Sequence, residues 1–585
     1  MDYTPPLDDL RFLLTQAIDT SELSTLFAEQ GFDNDLALTL LEEAGKFCAE
    51  VIAPLNLPGD ATGCRLEDGK VITVPGFAQA YATYAEGGWC GLSAEPEYGG
   101  QGLPRTLQFL VDEMLSGANL SFGLFPGLTR GAVEAIVAHA SDELKNTYLP
   151  KMISGEWTGA MALTESNAGT DLGLLRSKAV PNGDGSYAIT GTKIFISSGD
   201  HDFGGNVIHL VLARLPDAPE GVKGISLFLA PKFLVNADGS LGARNSFSVG
   251  SLEHKMGIHA QPTCVMNYDN ATGWLVGEPG RGLNAMFTMM NAERLFVGLQ
   301  GLGIAHAAYG KAVAYAKDRL QGRAPGDSRA PAPIIGHPDV RRMLLTIRAF
   351  TEAGRALAVW TAIRMDVAHH HTDAAERAKA DALVSLLTPV IKAAFTDFGF
   401  ESTVMAQQVF GGHGYVHEWG MEQFVRDARI AQIYEGTNGV QAHDLVGRKL
   451  GLSNGKLAHE FFDLMAAELA EARAVGGIDD ITAPVEAALA RLRDVTTRVQ
   501  ARNVDIAETG AAACDYLRMF ALVSFGWMWA RMAATATKGG DTKLHEAKLA
   551  VARVFTGRLL PQTAALEAAI DNGAAPLLQL AADLF

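Results

Sequence analysis

Cysteine is scarce in this chain, five residues in 585, and Cys48, Cys64, Cys90, Cys264 and Cys514 are scattered without a CxxC pair. An odd, dispersed set of thiols builds neither a disulfide framework nor a zinc site, and suits a reducing compartment. Charge is also thin at 19 %, and what there is leans acidic, with 48 basic against 66 acidic side chains and a net charge of −18. No basic tail or stripe offsets this, so the positive surface that a phosphate backbone requires is missing and nucleic acid is excluded as a partner. No GxxxxGK[ST] loop occurs, which removes that class of phosphate cradle. The opening residues MDYTPPLDDLRF lack the basic start and apolar core of a secretory signal. The longest strongly apolar run, Met519 to Ala530, falls well short of the ~20 residues a membrane-spanning helix needs, and reads as a buried helix. A cytoplasmic protein without membrane association is expected.

Hydrophobic residues are plentiful, 48 % of the chain, enough for large cores. At ~150 residues per domain the length corresponds to about four domains. From Leu36 to about Tyr81 apolar residues return every three or four positions, a helical pattern. A Gly-rich turn from Glu95 to Pro104 follows, then more helix to about Gly155. Beyond Trp157 the runs SYAITGTKIFI, VIHLVLARL, GISLFLAP and CVMNYDNA are short, β-branched and separated by Gly, Asn and Asp, as strands of an antiparallel sheet or barrel would be. The helical period resumes after Gly282 and holds to about Lys449, interrupted by a Pro-rich loop from Gly322 to Pro338. The remainder, from about Ser453 to Phe585, is Ala-rich and helical, broken at Gly476-Gly477 and Gly539-Gly540. The expected architecture is α+β and multidomain. It comprises an N-terminal segment (1–34), a helical domain (35–158), an antiparallel β-barrel domain (159–278), a helical bundle (279–450) and a helical extension (451–585).

Two tempting signals carry little. Gly298, Gly301 and Gly303 (GLQGLG) lie in a helical stretch and follow no strand, so they are not a dinucleotide fingerprint. His369, His370 and His371 are consecutive, and adjacent helical side chains diverge by roughly 100°, so a solvated run is expected and no metal. Two segments carry more. MALTESNAGTDLG, Met161 to Gly173, is rich in hydroxyls and small residues. Such a loop can turn backbone N–H groups and the Thr164 and Thr170 hydroxyls toward a pyrophosphate, although the same residues also make ordinary turns. In QVFGGHGYVHEWGMEQFVRDARIAQIYEGTNGVQ, Gln408 to Gln441, a Gly-Gly turn precedes a helix expected from Glu422 to about Tyr434, stopping at Gly436. Glu435 then falls at a helix end beside an aromatic ring. A carboxylate held there against apolar surface gains proton affinity, as a general base near neutral pH needs, whereas one at a frayed end is merely solvated.

Taken together, the two segments and several others in order resemble the flavin-dependent acyl-CoA dehydrogenase family. The resemblance covers roughly Leu36 to Leu450 and includes the PEYGG turn, LTESNAGTD, KIFISSG, NAERL, DRLQG, QVFGGHGY and RDARIAQIYEGT. The C-terminal extension resembles the larger bacterial members, including the 3-methylmercaptopropionyl-CoA dehydrogenase branch. The resemblance implies FAD-dependent α,β-dehydrogenation of an acyl-CoA thioester to a trans-2-enoyl-CoA, with Glu435 as the base for the α-proton. The thioester carbonyl would be polarised by the backbone N–H of Glu435 and a flavin hydroxyl. Glu293, in NAERL, falls where other branches place their carboxylate and is the alternative base. Met161, Leu163, Thr164, Gly169 and Thr170 are implied along the flavin and its pyrophosphate, with Phe195 and Ser197 over the ring. Phe195 departs from the usual Trp, and another aromatic can still stack. Arg319, Gln321, Gln408, Gly412 and Thr437 are implied at the adenine diphosphate end, some from a neighbouring subunit, so a homodimer or dimer of dimers is expected. Gly439 stands where many relatives carry Gln, which removes one adenine contact. Asn291, Arg294, Tyr434 and Gly436 are implied at the substrate, and an electron-transfer flavoprotein as acceptor. The alternatives are an acyl-CoA oxidase passing electrons to oxygen, a medium- or long-chain fatty acyl-CoA dehydrogenase, a relative that keeps flavin without dehydrogenating, and a membrane-associated long-chain enzyme docking through the C-terminal helices around Met519 to Trp529.

Overall fold

The computed structural model describes residues 3–328, 330–539 and 542–585; of the expected Gly539-Gly540 break, Gly540 lies outside them. The chain divides into two compact units. One comprises Phe47–Pro104 and Ala118–Phe296, the other Met1–Lys46, Arg105–Gly117 and Val297–Phe585.

The first of these holds the sheet. Helices α1 (Leu120–His139) and α2 (Asp142–Ile153) precede it. Each starts on a side-chain cap, Asn119 accepting from the Phe122 N–H and Ser141 from the Leu144 N–H. Among the described residues, seven strands form this sheet: β1 (Trp157–Ala162), β2 (Lys178–Pro181), β3 (Tyr187–Ser197), β4 (Asn206–Arg214), β5 (Ile225–Pro231), β6 (Phe247–Leu252) and β7 (Thr263–Val276). Pairing runs β6-β7-β3-β2-β4-β1, and β5 joins β7 to β4, so β7, β3, β2, β4 and β5 close a circuit. The sheet is mixed rather than purely antiparallel: β1 runs parallel to β4, and β2 meets β4 in a parallel pair at Lys178 and Arg214.

Alternation along β4 explains why it is apolar throughout. Ile208, Leu210 and Leu212 enter a core with Trp157, Leu149 and Met286, while Val207, Val211 and Ala213 enter a second core with Phe228, Phe247 and Tyr268. A strand buried on both faces has no polar side to show. The helical region expected from Leu36 to Tyr81 is interrupted by a hairpin, Arg65–Glu67 with Lys70–Ile72, turning at Asp68 and Gly69. Both turn residues have positive φ, 49° and 73°, the conformation that an Asp-Gly pair supplies in a two-residue hairpin loop.

The other unit is helical. It receives the second part of α3 (Gly282–Asp318), then α4 (Pro338–His370), α5 (Ala374–Val409), α6 (Met421–Ala431), α7 (Asn438–Gly447), α8 (Leu457–Ala474), α9 (Asp479–Arg502), α10 (Ile506–Ala536) and α11 (Thr542–Val554). The glycines of GLQGLG serve helix packing. A Cβ at Gly301 would sit 2.4 Å from the Phe395 carbonyl oxygen, and one at Gly303 2.3 Å from that of Glu113. Helix α5 is long and apolar enough to cross a membrane, yet 78 % of its most apolar window is buried within the protein, as a core helix would be. The run Met519 to Ala530 lies in α10 and is buried throughout. His369 and His370 end α4, exposed, and among the described residues no group of three or more His, Cys, Asp or Glu is placed to hold a metal.

Candidate functional site

The helix expected to reach Tyr434 ends earlier. α6 stops at Ala431, and Gln432 to Thr437 form an irregular turn before α7, whose N-terminus Thr437 caps by accepting from the Val440 N–H. Tyr434 still donates its N–H to the Ile430 carbonyl, and Asn438 donates to that of Gln432. Within the turn Glu435 takes φ 57° and Gly436 φ 83°. For glycine this is free; for glutamate the left-handed region costs on the order of 1–2 kcal/mol, and such strain persists only where surroundings impose it. The surroundings are visible. The Glu435 carbonyl accepts from Gln441 at 3.2 Å, the Gly436 carbonyl from Lys392 at 2.8 Å, and the Tyr434 hydroxyl bonds Gln300 of α3. Tyr434, Glu435 and Gly436 are half-buried.

In the unit with the sheet, the Thr-rich loop leaves the end of β1 and is fastened to β3 at its root. The Lys193 ammonium is fully buried and donates to the Leu163 carbonyl and to Glu165, both at 2.9 Å. Glu165 also accepts from the Arg176 N–H at 2.7 Å, the Ser177 N–H at 3.0 Å and the Ser177 hydroxyl at 2.7 Å. Burial works to raise the Glu165 carboxyl, but Lys193 and these donors outweigh it and hold the pKa below the usual range; burial pushes Lys193 down to about 8. The Ile194 N–H bonds the Thr164 carbonyl at 2.9 Å. Those bonds set Leu163 and Thr164 beside β3, leaving Gly169 and Thr170 exposed at the loop tip.

Phe195, near the end of β3, has φ 59° and a side chain 60 % exposed, and Ser198 has φ 53°. An exposed aromatic held in left-handed backbone gains nothing from the core of its own chain. Its free face fits the plane of a tricyclic ring, and the hydroxyls and open backbone of the neighbouring loop fit a polar tail. Ser197 is half-buried beside it, and Met161 is half-buried at the end of β1. These residues therefore fit FAD.

The alternative base is not a surface residue. Glu293 is 3 % exposed and lies against α1, where a Cβ added at Gly131 would come 2.6 Å from its Oε1. Arg294 is also buried and donates to Asn291 at 3.2 Å, with its guanidinium over Phe287. At the far end of α3, Arg319 and Gln321 are exposed, and their backbone is tied to Ile334 and Ala332. Tyr315, one turn before Arg319, stacks on Phe410 with ring centroids 4.1 Å apart and bonds His413 at 2.9 Å. Gln408 and Gly412, in the same corner, are exposed, and so is Thr437. Sequence reasoning missed Lys193, Glu165, Lys392 and Gln441. Glu165, Lys193 and Gln441 lie inside segments already singled out, whereas Lys392 sits on a helix well before Gln408, and a lone buried lysine has no periodic signature.

Four family models match in chain order: the acyl-CoA dehydrogenase N-terminal domain over residues 35–156, its middle domain over 160–271, its C-terminal domain over 280–450, and an acetyl-CoA dehydrogenase C-terminal-like domain over 461–581. The chain belongs to the acyl-CoA dehydrogenase family. Within it, the chain is 42 % identical to the 3-methylmercaptopropionyl-CoA dehydrogenase of Ruegeria pomeroyi, over 99 % of both. Among solved structures, the butyryl-CoA dehydrogenase of Megasphaera elsdenii is 27 % identical with a TM-score of 0.59, over 72 % of this chain and 99 % of that one. An acyl-CoA dehydrogenase from Bacillus anthracis complexed with FAD shares the fold at 20 % identity, with a TM-score of 0.72 over 96 % of this chain and 91 % of that one.

Proposed function

We propose that this chain is an FAD-dependent acyl-CoA dehydrogenase that converts an acyl-CoA thioester to the trans-2-enoyl-CoA, with Glu435 as the base. The observation that carries the assignment is the left-handed Glu435 in a turn held by side chains from three helices. In this reading the Glu435 carboxylate takes the α-proton, and its backbone N–H donates to the thioester oxygen, which becomes more negative as the proton leaves. Bound FAD supplies the two-electron acceptor for the β-hydride. Met161, Leu163, Thr164, Gly169, Thr170, Phe195 and Ser197 hold and cover it. Arg319, Gln321, Gln408, Gly412 and Thr437 take the adenine diphosphate end across subunits of a homodimer. Asn291, Arg294, Tyr434 and Gly436 line the thioester and its CoA arm.

The near full-length likeness to the Ruegeria protein favours 3-methylthiopropanoyl-CoA as substrate, giving methylthioacryloyl-CoA. An electron-transfer flavoprotein is the acceptor in this reading, and the dispersed thiols favour the cytoplasm. The functional division follows 1–34, 35–158, 159–278, 279–450 and 451–585, which the matched ranges support. The test is a pair of substitutions. Glu435→Gln should keep bound, yellow FAD and lose turnover by at least ~10³-fold, while Glu293→Gln stays within about tenfold of wild type. Loss of turnover in E293Q with activity kept in E435Q would move the base to Glu293. Turnover with oxygen as well as with a dye would make the protein an oxidase.

A further inference from the structure

The turn that carries Glu435 is held from beneath by a buried charged group with no assigned role. Lys392 lies on α5 with its side chain fully enclosed. Its ammonium donates to the Gly436 carbonyl at 2.8 Å and to the Asn438 Oδ1 at 2.9 Å. The other end of the Asn438 amide is also committed, because its Nδ2 donates to Asp397 at 2.7 Å and to the Thr396 hydroxyl at 2.9 Å. Asp397 accepts from Gln432 as well, at 2.7 Å. An ammonium can only donate and a carboxylate can only accept, so the pair on α5 leaves the Asn438 amide a single orientation. Gln432 and Asn438 bracket the turn, and both are anchored on this one helix.

The consequence for Glu435 is geometric. The Glu435–Gly436 peptide is held at its carbonyl by Gln441 and the Gly436–Thr437 peptide at its carbonyl by Lys392, so neither can rotate without breaking a bond to a buried donor. The left-handed φ at Glu435 is thereby imposed from outside. Releasing the Gly436 carbonyl removes one of the two anchors and leaves Gln441 alone to hold the turn against the strain at Glu435, so the carboxylate and the N–H of Glu435 drift from their positions. We propose that Lys392 is a positioning residue for catalysis: it holds the Glu435 turn in its left-handed conformation, with Asn438 and Asp397 as the relay that orients it. This rests on Glu435 being the base.

The experiment separates the two claims with acetyl-CoA, which has α-protons but no β-carbon from which hydride could leave. Exchange of its methyl protons with D2O on the flavin-loaded enzyme, followed by NMR, reads proton abstraction alone. E435Q should abolish exchange; if it does not, the base assignment fails, whatever Lys392 does. Given that loss, Lys392→Met, which keeps length and removes all donors, should slow both exchange and kcat by on the order of 10–100-fold. KM should stay within about twofold, and the melting temperature should show a folded protein. Lys392→Gln, which restores one donor, should recover part of the rate. A purely structural lysine would not give partial recovery of proton exchange at constant KM. Folded K392M exchanging within twofold of wild type overturns the proposal. If K392M does not fold, K392Q decides, since wild-type exchange there overturns the proposal and a slowed rate at unchanged KM supports it.

Discussion

Replacing Lys193 with methionine tests how the Thr-rich loop, proposed above to lie along the flavin, is held. In the native chain the ammonium joins the Leu163 carbonyl and the Glu165 carboxylate, each at 2.9 Å and out of contact with water. Breaking a buried ion pair by removing one partner costs ~3–5 kcal/mol, because the other charge stays buried. Glu165 keeps three donors from Arg176 and Ser177, which places the cost near the lower end. The lost bond to Leu163 adds about 1 kcal/mol. A total of roughly 3–4 kcal/mol exceeds what one loop can bear, so the loop leaves its native position before the unit unfolds, and FAD binding must restore it. If about half the cost is met that way, about 1.5–2 kcal/mol, FAD affinity falls roughly 10–30-fold at ~1.4 kcal/mol per tenfold. Flavin-fluorescence titration of apoprotein measures the affinity, and melting with and without FAD measures the stability. Unchanged affinity together with unchanged melting would refute the reasoning.

The sign of a pH effect follows from the same pair. Folding lowers the Lys193 pKa from 10.5 to about 8 through burial, so between those values the unfolded chain binds more protons, and this group's contribution to stability grows as pH rises and is lost as pH falls through about 8; the stability difference between wild type and K193M should therefore shift in favour of wild type from pH 8 to 10. At Phe195, with φ 59° and a mostly exposed ring, glycine should leave the apoprotein as stable or up to ~1 kcal/mol more stable, while FAD binds about tenfold more weakly for want of a stacking face; a destabilised apoprotein with unchanged FAD affinity would contradict this. At Gly301, where an added Cβ would meet the Phe395 carbonyl at 2.4 Å, alanine should cost ~1–3 kcal/mol in a urea melt by forcing α3 and α5 apart, and a neutral result would mean that the helices can separate freely.

Much of the fold is legible from local patterns, and the exceptions have identifiable causes. The four strand-like runs read from the sequence coincide with β3, β4, β5 and part of β7, because β4 and β5 are apolar on both faces and feed two cores while β3 and this part of β7 alternate into one. Strands β1, β2 and β6 went unread. β1 is a run of small residues, TGAMA after Trp157, whose extended form is set by its partner β4 rather than by β-branching. The hairpin at Asp68-Gly69 did carry its signal, an Asp-Gly pair in LEDGKVI, and was hidden by the helical period around it. At the candidate site, sequence could bring forward Glu435 and the Thr-rich loop, since both are marked by turn residues. It could not show that α6 ends at Ala431. Helix propensity continues through Gln432 and Ile433, and what stops the helix is a tertiary commitment, the bonds of Gln432 and Asn438 to Asp397.

The C-terminal extension shows the same limit more strongly. An Ala-rich helix apolar on all sides must be buried, and α10 is, but its sequence does not say against what. Trp529 donates its indole N–H to the Ala349 carbonyl of α4, Trp527 packs edge-on to Trp360 at 5.2 Å, and Phe525 joins Phe350, Phe395 and Phe398 in one aromatic cluster. Farther on, Lys548 of α11 is fully buried between Asp9 and Glu352, and Arg355 of α4 pairs with both Asp9 and Glu113. A buried cation cannot be left without its carboxylates, nor they without it. The extension is therefore an interior part of the helical unit that contains the Glu435 turn. Phe525 of α10 packs on Phe395 and Phe398 of α5, the helix that carries Lys392, so that helix is held by a segment more than a hundred residues away, a contact that no local reading of either stretch could reveal.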